Sequence, residues 1–142
     1  MPYSGTLDTD KVIYTEASES FFVGVDETQS ETYLLISSAD HVTSEVRYFK
    51  ADEPHAEPRL IAPRRDGHEY DVDHREGRFY IHSNRDHKNF SLFSAPQADP
   101  GETTWEVVMA GSDTRYLMGH LCFKRYLITS ERIDGLDQVG IH

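Results

Sequence analysis

Apolar and polar positions along this chain fall into short strand-like runs, and the runs repeat. Residues 21–25 (FFVGV), 33–38 (YLLISS) and 43–49 (TSEVRYF) form one set. Residues 69–73 (EYDVD), 78–83 (RFYIHS) and 87–93 (HKNFSLF) form a second, and 116–120 (YLMGH), 125–130 (RYLITS) and 135–141 (GLDQVGI) a third. Ile36, Ile81 and Ile128 recur at spacings of 45 and 47, and Thr43, His87 and Gly135 open the third strands on nearly the same step. Val46-Arg47-Tyr48 and Phe90-Ser91-Leu92 alternate with period two, as half-buried strands do. YLLIS and RYLIT are more continuously apolar, which predicts inner strands covered on both faces. Residues 60–62 and 105–110 supply fourth strands, each after a proline-containing connection (51–58 and 95–104), where an outer edge strand tolerates the missing N–H. Glu76-Gly77 and Asp134-Gly135 have the chemistry of tight hairpins. Four short strands per unit at a period of roughly 46 residues predict propeller blades.

The expected fold is therefore all-β: a partial β-propeller of about three four-stranded antiparallel blades occupying residues 1–142. Residues 1–16, with KVIYTE at 11–16, read as the last strand of a preceding blade. Residues 19–65 and 66–111 read as complete blades and 112–142 as an incomplete one. Propellers close into rings, so such an arc leaves terminal faces and strand edges open. Two expectations follow: the chain is part of a longer protein, or it completes itself against another chain.

Composition narrows the function classes. A hydrophobic fraction of 37% with 11% aromatics supports a core and excludes a disordered chain. The net charge of −11 argues against nucleic acid and anionic membrane as partners. The one dense basic stretch, residues 59–65 with Arg64-Arg65, reads as a solvated turn between blades. The first ten residues lack a basic and apolar leader pattern, and no apolar run reaches membrane-spanning length, so a cytoplasmic location is expected. Cys122 is the only cysteine, which excludes an intramolecular disulfide. Between Leu121 and Phe123 it reads as a buried small hydrophobe rather than a thiolate served by His120.

Eight histidines raise the question of a metal. Asp71, Asp73 and His74 lie together, as do His82 and His87, but Asp71 and Asp73 share one strand face while His74 points to the other, and no second ligand pair closes a site. A strand entering a polar hairpin accounts for them. None of the many carboxylate pairs stands in an apolar setting suited to glycosidase chemistry. Ser83, His74 and Asp71 supply the residue types of a triad without an elbow or oxyanion donors. Trp105 reads as a cover on the core more than as a partner-binding anchor. Tyr33, Tyr48, Tyr70, Tyr80, Tyr116 and Tyr126 read as blade-to-blade packing with hydroxyls at the rim.

The wording of the repeats resembles the oligopeptidase B (protease II) group of the prolyl oligopeptidase family of serine peptidases. The carriers are FFVGV with the Thr28-x-Ser30 turn, TSEV at 43–46, AEPRLIAPR at 56–64, EYDVDH at 69–74, KNFSL at 88–92 and ITSERIDGL at 128–136, in that order across residues 11–141. The resemblance implies a seven-bladed propeller joined to an α/β-hydrolase domain, with the propeller limiting access to short peptides that are cleaved after Lys or Arg. In that family the catalytic Ser, His and Asp belong to the hydrolase domain. These 142 residues contain no G-x-S-x-G nucleophile elbow. No catalytic, cofactor-binding or metal residue is thus assigned to this chain, and it is not expected to be an enzyme by itself. The partners implied are the hydrolase domain and a peptide substrate. The alternative is a free-standing interaction module that self-associates or binds another chain through open blade edges.

Overall fold

The computed structural model describes residues 12–142. Eleven strands build three antiparallel sheets. β1 (Phe22–Glu27), β2 (Tyr33–Ala39), β3 (Ser44–Lys50) and β4 (Arg59–Leu60) pair in chain order. So do β5 (Tyr70–Arg75), β6 (Arg78–Ser83), β7 (Ser91–Pro96) and β8 (Glu106–Met109). β9 (Arg115–Cys122), β10 (Leu127–Ile133) and β11 (Leu136–Ile141) form a three-stranded sheet. A 3₁₀ turn at Glu102–Thr104 is the one helical element among the described residues. The partial propeller expected from the repeat is thus what forms: β5 packs on both β3 and β9, so the second sheet lies between the other two.

The hairpins follow the turn chemistry. Arg75 pairs with Arg78 across Glu76-Gly77, whose φ values of 47° and 82° lie in the left-handed region that a two-residue primed turn requires. Ile133 and Leu136 close Asp134-Gly135 in the same way, at 52° and 79°.

One core spans the first two sheets and contains Val46, Tyr48, Phe79, Ile81, Phe93 and Trp105. A second joins the last two sheets through Phe90, Leu92, Leu117, Cys122 and Leu127. Phe79, Phe93, Ile81 and Leu92 lose all contact with solvent, each contributing about 1.5–3 kcal/mol. Trp105 lies in this core, its indole N–H donating to the Pro100 carbonyl at 2.9 Å. Strands of equivalent position differ in burial. β1 is exposed throughout, whereas β5, with a sheet on either side, is mostly buried.

Residues 12–16, expected as part of the last strand of a preceding blade, have no strand partner among the described residues, and Glu16 accepts from the Ser18 N–H and the Arg64 guanidinium. Lys11 and the residues before it lie outside the described part. Two expectations are corrected. The third strand of the second sheet runs from Ser91 to Pro96, not from His87. His87 to Phe90 form a turn, closed by the Phe90 N–H on the His87 carbonyl at 3.0 Å, and Phe90 has φ 71°. Finally, the Tyr70 hydroxyl is not at a rim. It donates to the Ala62 carbonyl at 2.7 Å and accepts from the Val46 and Ala62 N–H groups, and burial pushes its pKa up to about 12.

The chain reaches the third sheet through Gly111, where a Cβ would collide with the Cβ of His87. Replacing Gly111 by Ala is expected to cost about 1–3 kcal/mol through overpacking, read as a lower urea midpoint with an unchanged slope.

Candidate functional site at the joints between sheets

The polar groups of this protein concentrate where one sheet meets the next. At the first joint the Ser44 N–H donates to the His68 carbonyl at 3.0 Å, the Ser44 hydroxyl to the Tyr70 carbonyl at 2.9 Å, and the Tyr70 N–H to the Ser44 hydroxyl at 2.8 Å. Strand β3 is thereby stitched to β5. Arg64 seals the rim of this joint. Its guanidinium donates to both oxygens of Glu16, reaches Glu45 at 2.9 Å, and lies 3.8 Å from the centre of the Phe21 ring. The expected solvated turn is therefore only half right. Arg65 is half-exposed and pairs with Glu102 at 2.9 Å, whereas Arg64 is a three-way anchor. The Arg64 hydrogen bond, helped by the Ser18 N–H, holds the Glu16 carboxyl down to about 2.

Asp73 binds three segments at once. Its Oδ1 accepts the Gln29 N–H at 2.9 Å, from the β1–β2 hairpin, and the His74 N–H at 2.8 Å. Its Oδ2 accepts the Cys122 N–H at 2.8 Å, from the end of β9. Beside it His74 bridges Ser30 and Gln97, at 2.8 Å on each ring nitrogen, and burial pushes its pKa down. A cleft of about 320 Å³ opens here, lined by Ser30, His74, Arg75, Cys122 and Phe123 among others. The Cys122 thiol is buried, and burial and then the charge of Asp73 push its pKa well up, so it packs rather than reacts.

The second joint is held by histidines. His82 Nε2 donates to the Leu117 carbonyl at 2.6 Å, and His120 Nε2 donates back to the Tyr80 carbonyl at 2.9 Å. His82 Nδ1 meets Asp71 at 3.0 Å. Burial opposes a charged imidazole, yet the hydrogen bond and charge of Asp71 raise the His82 pKa overall. The surrounding protein opposes ionisation of Asp71 even though its side chain is 65% exposed, and His82 and His120 outweigh that effect, so Asp71 lies below the ordinary carboxylate range.

The candidate groups from the sequence go separate ways. Asp71 meets His82, Asp73 takes backbone N–H groups, and His74 joins Ser30 and Gln97. Ser83 bonds His68 Nε2 at 2.8 Å, so Ser83, His74 and Asp71 do not assemble as a triad. His87 faces Asp113 at 3.1 Å, while His82 bonds Asp71 and the Leu117 carbonyl. Among the described residues, no group of three or more His, Cys, Asp or Glu side chains is arranged to hold a metal ion. The role of Asp73 was missed. Its partners lie 44 and 49 residues away, and only the short polar residue in an inner strand hinted at it.

Joints of this kind, between antiparallel sheets stacked in chain order, are what a propeller requires. Residues 5–142 match the N-terminal β-propeller domain of prolyl oligopeptidase. The chain belongs to this family, as an oligopeptidase B-like propeller portion. It is 29% identical over 135 residues to Protease 2 of Moraxella lacunata, covering 95% of this chain and 19% of that protein. It is 31% identical over 119 residues to the prolyl endopeptidase-like protein of Gallus gallus, covering 83% and 16%. The fold matches oligopeptidase B from Trypanosoma brucei with a TM-score of 0.87 at 24% identity, over 96% of this chain and 20% of that one. The chain thus spans about a fifth of the length of the relatives it matches.

Two results are expected. Replacing Asp73 by Ala leaves three backbone N–H groups without their charged acceptor, at a cost of about 3 kcal/mol or more, measured by urea unfolding. The depressed Glu16 pKa means that its contribution is complete above about 4.5 and is lost as pH falls towards about 2. The urea midpoint of the parent chain should fall more steeply over that window than that of Glu16→Gln.

Proposed function

We propose that this chain is a non-catalytic part of the propeller of an oligopeptidase B-like serine peptidase, where it gates access to the active site by size. The α/β-hydrolase catalytic domain is its partner, short peptides cleaved after Lys or Arg are the substrates, and the cytoplasm is its location. The family match over residues 5–142 carries this reading. Its physical support is the bonding between sheets. A filter must hold its aperture against thermal opening, and Asp73, Tyr70 and Ser44 couple adjacent sheets through buried, directional hydrogen bonds.

A second reading, self-association, is favoured by one observation. β1 exposes Phe22, Val23 and Val25, and β11 exposes Leu136, Val139 and Ile141. Each is an edge strand with unpaired backbone groups. Light scattering separates the readings, since a monodisperse dimer of the 142-residue chain supports self-association.

Gating is tested with this segment placed in a full-length peptidase of the family. There Asp73→Ala should raise cleavage of a 30-residue Arg-containing peptide several-fold relative to a pentapeptide. An unchanged ratio, with the variant still folded, counts against gating.

A further inference from the structure

A cleft of about 220 Å³ lies between β1, β2, β5 and β9, and its centre is distinct from the Ser30–His74 cleft. Its walls combine two chemistries. Leu35, Val72 and Leu121 are apolar, while Asp26, Glu27 and Asp71 bring carboxylates. It is smaller than the ~300–1,000 Å³ of small-molecule pockets, a size suited to one side chain.

His120 gives the cleft its direction. Its side chain is 2% exposed, and the Tyr80 carbonyl can only accept, so Nε2 carries the hydrogen. In the neutral ring Nδ1 is then a bare acceptor, and it is buried without a hydrogen-bond partner. It faces Asp71 Oδ1 at 4.0 Å. Two acceptors at that spacing are bridged by a single ammonium nitrogen about 2.8 Å from each, with roughly 90° between the two bonds. The Asp71 side chain is 65% exposed, and the same Oδ1 also meets His82 Nδ1 at 3.0 Å, leaving lone-pair capacity for a further donor.

We propose that this cleft binds the side chain of a lysine in a peptide, the ammonium bridging Asp71 and His120 and the methylene stem lying along Leu35, Val72 and Leu121. Lysine is amphipathic in the way this cleft is, with an apolar stem and a charged tip. Asp26 and Glu27 add attraction at the mouth, and the net charge of −11 favours approach of a cationic segment. The inference rests on the propeller being a peptide-facing surface, but it concerns binding to the propeller itself and needs no catalytic domain.

The test uses the 142-residue chain and blocked pentapeptides, acetyl-Gly-Gly-Xaa-Gly-Gly-amide, at low salt, followed by NMR titration. With Xaa lysine, the His120 ring resonances should shift on saturation, and binding should be at least ten-fold tighter than with norleucine or Nε-acetyl-lysine. Asp71→Asn and His120→Leu, each shown to be folded by its melting transition, should each weaken lysine binding at least five-fold. Equal binding of the lysine and norleucine peptides overturns the proposal without reference to any variant. So does lysine binding that both variants retain, which would reflect diffuse attraction to an acidic surface. Either failure leaves size gating in the full-length peptidase intact, and loss of gating leaves this binding measurable.

Discussion

Three backbone N–H groups converging on the buried carboxylate of Asp73 are the constraint on which the stacking of these sheets depends. Two belong to places where strands end, the Gln29 hairpin and Cys122 at the end of β9, and the third is that of His74 in β5, an edge strand of its sheet. A backbone donor buried without an acceptor carries the full cost of its desolvation. A carboxylate buried alone costs more. Brought together, these liabilities cancel only when the first hairpin, the second sheet and the third sheet stand in one relative position. An apolar contact would tolerate a shift of an ångström, and this arrangement does not.

The two joints solve the same problem with different chemistry. Between the first and second sheets, aromatic packing dominates, with Tyr33, Tyr48 and Phe79 in edge-on and tilted contacts, and Tyr70 fastened at its hydroxyl. Between the second and third, reciprocal histidine bonds to backbone carbonyls do much of the work, and the apolar cluster is smaller. Polar joints confer specificity more readily than stability, because breaking one partner is costly while replacing the whole network with apolar groups often is not. A stack fastened in this way resists sliding, which is the property the proposed size filter requires.

Much of this fold was legible in the sequence because the information is local. Alternation places most strands within a residue or two, and Glu76-Gly77 and Asp134-Gly135 announce hairpins that form as read. What escaped is non-local or conformational. HKNFSLF looks like one strand, but Phe90 adopts a left-handed backbone that no propensity assigns to phenylalanine, so pairing begins at Ser91. Arg64 reads as surface charge until Glu16, Glu45 and Phe21 are brought to it from 48, 19 and 43 positions away. The histidines were legible as a cluster but not as separate partners, because their pairing is decided by register between sheets.

The same dependence on neighbours explains why equivalent strands diverge in character. β1, β5 and β9 are the first strands of their sheets, yet β1 is wholly exposed, β5 mostly buried and β9 mixed. Intrinsic preference does not separate them, since FVGVDE is more apolar than YDVDHR. Position does: β5 has a sheet on either side, while β1 and β9 belong to the end sheets of the stack. The strand with two neighbours carries buried polar side chains that fasten the stack, Asp73 and His74, because there they find partners on adjacent sheets. Burial of a strand is set here by its neighbours more than by its own composition, because stacked sheets must meet in register.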